Sequence, residues 1–228
     1  MRDNLSGLSK AALLLGLSYV LYIALVIAGE MHFEDTYNEF LHGEQTSSSV
    51  INSFLVLTFL LLLGLLALLL AFSLFLRRTE TTFDILSWRG SRNILRALRI
   101  FYVVDTLATI AVVAILVPEN IKALEKALVE GLEITSFSSI LTGFFMYFNG
   151  VLFGVTSLVV SIIMLELQDK IGFFKFLGKA YWLYFIASAI YLIEKFVPTM
   201  LSIILYPLSC LIIRIRMSKL ATALTRQI

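Results

Sequence analysis

Six long apolar stretches, separated by gaps in which the charges are sorted by sign, constrain this chain more than any motif does. A helix needs roughly 20 apolar residues to cross about 30 Å of hydrocarbon at about 1.5 Å of rise per residue. Runs near that length lie at 11–29, 50–76, 98–117, 139–165, 177–193 and 196–213. They predict an all-α, polytopic integral membrane protein: one domain over residues 1–228, folded as a six-transmembrane-helix bundle. The last two runs are the shortest and only Glu194 and Lys195 divide them, so a re-entrant hairpin is the alternative there.

Composition excludes a soluble fold. With 59% hydrophobic residues, 15% charged residues and a mean hydropathy of +0.92, the chain has too little polar surface to enclose its apolar mass in water. A net charge of +2 gives no reason to expect nucleic acid, and the basic residues occur in short clusters beside the apolar runs. The first run is longer than a usual signal-peptide core and leads into Glu30 without a small-residue cleavage pattern, so it reads as a retained helix. Cys210, the single cysteine, allows no disulfide within the chain and reads as a small buried hydrophobe in the last span.

Gap charges set the orientation. Glu30, Glu34, Asp35, Glu39 and Glu44 occupy the first gap, whereas Arg77, Arg78, Arg89, Arg92, Arg96 and Arg99 occupy the second. Counted over the whole chain, fifteen of the eighteen Lys and Arg fall on one side, and ten of the sixteen acids on the other. Basic segments resist translocation, so the second gap and both termini are expected in the cytoplasm of a bacterial or archaeal cell.

The gaps carry helical patterns of their own. In the first outer gap Phe33, Tyr37, Phe40 and Leu41 share one side, with His32, Asp35, Glu39 and His42 opposite. Past Pro118, which suits a first helical position, Ile121, Leu124, Leu128 and Leu132 face away from Lys126, Glu130 and Glu133. Both segments predict separate short helices lying on the outer membrane surface. On the inner side Thr81 and Asp84 have capping-box spacing, and Gly90 with Ser91 predicts a break before the third span.

Candidate chemistry is sparse. Asp105 is the one charged residue well inside a predicted span, where a carboxyl group is costly unless paired, hydrated or protonated. Asn149, Thr109, Ser157, Tyr184 and Tyr206 fall at depths from which they could complete an intramembrane polar site with it. In the fourth span Gly143, Gly150, Gly154, Ser157 and Ser161 recur at helical spacing and predict a seam for close helix packing; Gly150 to Gly154 is a GxxxG match. His32 and His42 lie nearly three turns apart, too far to share one ion, so no metal and no other cofactor is expected. There is no H-E-x-x-H, no G-x-S-x-G and no glycine-rich phosphate loop.

The expectation is a non-catalytic accessory, assembly or scaffold subunit. Its partners would be the lipid bilayer and either further copies of itself or other membrane subunits. The alternative is a small transporter or channel for protons, ions or a small solute, built on Asp105 and Asn149. A polar, water-reached Asp105 favours the second; a close-packed core favours the first.

Overall fold

In hydrocarbon a backbone has no water to bond with, so apolar runs of this kind satisfy their amides internally as helices. The computed structural model describes residues 2–85, 89–130, 149–165, 178–194 and 200–225. Among these are six helices and no strand: α1 (Arg2–Leu41), α2 (Ser47–Ile85), α3 (Arg89–Glu130), α4 (Asn149–Leu165), α5 (Gly178–Ile193) and α6 (Ser202–Thr225). Helices α1, α2 and α3 are each long and apolar enough to cross a membrane.

The first three helices outrun their apolar stretches. The segment expected to lie as a separate surface helix, from Met31 to Leu41, is the uninterrupted end of α1. Its apolar side docks on α2 rather than on lipid headgroups: Phe33 is buried with its ring 6.2 Å from that of Phe54. Its polar side, with His32, Asp35, Glu39 and His42, is exposed as the pattern required, although Leu41 is exposed as well. The second expected surface helix is likewise a continuation, because α3 runs through Pro118 to Glu130. Proline deprives the Ala114 carbonyl of its usual donor, and the loss of one bond does not stop a helix whose later turn buries Leu124 and Leu128. Leu132 and Glu133 lie outside the described residues.

The inner capping box is also overturned. Thr81 sits within α2 and its hydroxyl donates back to the Arg78 carbonyl at 2.9 Å, so it caps nothing. Gly90 and Ser91 belong to the first turn of α3 rather than to a break before it.

Contacts between helices fix their register. Along α1 and α2, Gly7 meets the Arg78 side chain, Gly64 meets Tyr22 and Gly29 meets Leu57, which makes the pair antiparallel. A Cβ placed on Gly64 would stand 3.1 Å from the Tyr22 Cα, tighter than an ordinary contact, so any larger residue would push the two backbones apart. Helix α6 also runs antiparallel to α1. The Ser9 hydroxyl donates to the Arg214 carbonyl at 3.0 Å, Gly16 faces Cys210, and the Tyr19 hydroxyl lies 3.1 Å from Ser202 Oγ. Helix α3 joins at Arg99, which pairs with Glu80 of α2 at 2.9 Å, and at Tyr102, whose ring centre is 4.9 Å from that of Phe72. Arg78, Arg99 and Arg214 thus gather at one end of the bundle, level with Ser9 and Lys10.

Candidate functional site

The core toward that basic end is aromatic. Phe153 of α4 stands at its centre, with ring centroids 5.0 Å from Phe72, 5.2 Å from Tyr206, 5.5 Å from Tyr191 and 6.4 Å from Tyr19. Four helices besides α4 therefore converge on one side chain. The contacts with Phe72, Tyr191 and Tyr206 are edge-on or tilted, which sets the positive rim of one ring against the negative face of another.

Each of these tyrosines also brings a hydroxyl that must be satisfied where water is excluded, since an unpaired buried hydroxyl is costly. Tyr206 of α6 does so in two directions, its hydroxyl lying 2.8 Å from that of Tyr184 and 3.0 Å from Ser157 Oγ. All three residues are fully buried, so α4, α5 and α6 are tied by a short hydroxyl chain. Among the expected polar residues, Thr109 of α3 donates to Asn149 Oδ1 of α4 at 3.5 Å, the limit of a hydrogen bond, and both residues are buried.

Asp105 joins neither group. It is partly buried on α3, and its Oδ2 is enclosed without a hydrogen-bond partner among the described residues; the Tyr102 hydroxyl, one turn earlier, is in the same condition. The six polar residues singled out by sequence therefore form a buried hydroxyl chain, a Thr–Asn pair and a carboxyl group apart from both.

The small-residue seam is occupied from within the chain. Gly150 and Gly154 are buried, and a Cβ on Gly154 would meet Tyr191 at 3.1 Å and Leu192 at 3.2 Å on α5. Ser157 is claimed by Tyr206, and Ser161, also buried, returns its hydroxyl to the Leu158 carbonyl at 2.6 Å. Gly143 lies outside the described residues. The described seam offers no free face to a second copy.

His32 and His42 are both exposed, and a ring nitrogen of His42 lies 2.9 Å from the Asn38 carbonyl. Among the described residues no group of three or more His, Cys, Asp or Glu is placed to hold a metal ion. At the acidic end, burial and the neighbouring Glu34 carboxylate both raise the Glu30 carboxyl above its ordinary value.

One residue was missed by the sequence pattern. Glu194 follows α5 directly, and its carboxylate accepts the backbone N–H of Ser202 at 2.9 Å, capping α6. Ser202 in turn meets Tyr19, so Glu194 is level with the middle of the first apolar run and not with its outer end. The shortness of the fifth and sixth runs was the signal that could have revealed it. No protein-family model, curated protein or solved structure matches the chain.

Proposed function

We propose that this chain is a non-catalytic, multi-pass protein of the prokaryotic cytoplasmic membrane, with both termini inside, which serves as an accessory, assembly or scaffold subunit. The observation that carries the reading is the state of α3. Only 17% of its most apolar window is buried, against 44% for α1 and 50% for α2, and within it Asp105 Oδ2 is enclosed without a hydrogen-bond partner among the described residues. Lipid alone gives a carboxyl group at that depth nothing to bond with. A neighbouring membrane helix does, whether from another copy or from a different subunit. Close packing of rings around Phe153 supports the same reading, because the Tyr206, Tyr184 and Ser157 hydroxyls are consumed by one another instead of facing a path for solute.

A photoreactive side chain introduced at Leu107 or Ile115, which are 63% and 65% exposed on α3, tests this in living cells. A discrete protein adduct is expected at both positions and none at Leu70, equally exposed at 67% on α2. Asp105→Leu should weaken the adduct while leaving the isolated protein as stable as before or up to about 3 kcal/mol more stable, since it removes a buried oxygen without a partner and orphans none among the described residues. Transport predicts the contrary pattern: no adduct, and a proton or cation flux in liposomes that Asp105→Asn abolishes without unfolding the protein.

A further inference from the structure

We propose that α5 and α6 form a re-entrant hairpin that enters from the basic side and turns back near mid-membrane, leaving α1 to α4 as the crossings. The proposal rests on the membrane reading above but not on its orientation.

Three observations converge on it. The first is register. Lys10 is the last charge before the first apolar run, and Arg214 the first after the sixth; the Ser9–Arg214 hydrogen bond sets the two boundaries side by side. From that level α6 extends back to Ser202 at about 1.5 Å per residue, roughly 18 Å, where it meets Tyr19. Tyr191, in the last turn of α5, meets the same residue, with ring centroids 5.9 Å apart. Both arms of the hairpin therefore end at Tyr19, and α1 continues for about another 15 Å of apolar helix to Gly29.

The second is length. From its start at Ser202 to Arg214, α6 rises only about 18 Å. That falls well short of the roughly 30 Å of a hydrocarbon core.

The third is the chemistry of the turn. Ile193, Met200, Leu201 and Ile204 are 56%, 72%, 52% and 68% exposed. These four described residues, on either side of residues 195–199, suit acyl chains. Two polar groups flanking the turn are paired locally, with Glu194 accepting the Ser202 N–H and Ser202 Oγ engaging Tyr19. Irregular backbone at membrane depth is tolerated where protein groups satisfy it in this manner. Helix α6 thus begins inside the membrane, with a carboxylate set against the positive end of its dipole.

Depth can be read directly by spin-label accessibility in purified protein reconstituted into liposomes. With Cys210→Ala as background, Met200→Cys and Leu201→Cys supply two labelled positions at the turn. Leu21→Cys, exposed in the middle of the first apolar run, is the hydrocarbon reference, and Gln45→Cys, exposed between α1 and α2, is the aqueous reference. Labels at 200 and 201 should favour collisions with oxygen over those with a water-soluble nickel chelate, as the label at 21 does. A chelate accessibility equal to that at 45 would overturn the hairpin and restore six crossings. Neither result depends on which end of the bundle faces the cytoplasm, so a wrong orientation and a wrong hairpin are told apart.

Discussion

Two carboxyl groups show what a linear sequence conveys about individual residues and what it withholds. Asp105 announced itself because an acid flanked by apolar residues on both sides is legible in one dimension. Glu194 adjoins Lys195 between two apolar runs, which in one dimension reads as a loop; its depth depends on where α6 packs along α1, a contact between residues far apart in the chain. Glu30 offers a third case, with a consequence for pH. Burial and Glu34 raise its carboxyl above the ordinary value near 4.5, so the folded state holds that proton more tightly than the unfolded state does. By linkage, its contribution to stability is most favourable at pH below the unfolded value, and it is lost as pH rises through the folded one. Glu30→Gln, which keeps the shape without the charge, should therefore raise the melting temperature at pH 7 by a degree or more. The advantage should disappear below about pH 4, where both side chains are neutral. Thermal unfolding across that range checks it, and an advantage independent of pH would mean that charge is not the cause.

At the scale of elements, the apolar runs located the helices but not their ends. Hydrocarbon thickness limits only the part of a helix inside it, so α1 and α3 continue outward wherever an amphipathic pattern remains and a neighbour covers its apolar side. Phe33 against Phe54 is such a cover. Glycines were legible as packing positions in α4, where they recur in one seam, whereas Gly64 stood alone in α2 and gave no periodic signal. Yet Gly64 has the harder constraint. An added methyl group there meets the Tyr22 backbone at 3.1 Å, while at Gly154 it meets side-chain atoms of Tyr191 and Leu192. Alanine gains about 1 kcal/mol over glycine in a helix interior, and overpacking costs about 1–3 kcal/mol when the neighbour cannot yield. Gly64→Ala should thus lose up to about 2 kcal/mol in detergent melts. Gly154→Ala should stay within about 1 kcal/mol of the parent, and Gly154→Leu should lose about 1–3 kcal/mol. Equal losses for the two alanine variants would remove the distinction between backbone and side-chain contact.

For the whole molecule, hydropathy and charge carried the broadest inference, a helical chain with membrane-crossing segments, because both are sums over residues and need no knowledge of contacts. The same sums predict orientation, and the helix register adds a reason to trust their sign. Arg78, Arg99 and Arg214, from three different helices, meet at one end through contacts with Gly7, Glu80 and Ser9. Glu30, Glu34, Asp35 and Glu39 extend beyond the other end along α1. A basic end of this kind resists translocation, and each charge moved across a membrane potential of 100 mV involves about 2.3 kcal/mol. Several such charges together leave one orientation strongly preferred. Cysteines introduced at Thr46 and Glu125, both exposed, should therefore react with a membrane-impermeant maleimide in sealed cells, whereas Lys219→Cys should react only after permeabilisation. Because α5 and α6 return to the side they enter, this holds for four crossings with a hairpin and for six alike. Reaction of Lys219→Cys alone in sealed cells would reverse the orientation, and reaction of Thr46→Cys without Glu125→Cys would mean that α3 does not cross.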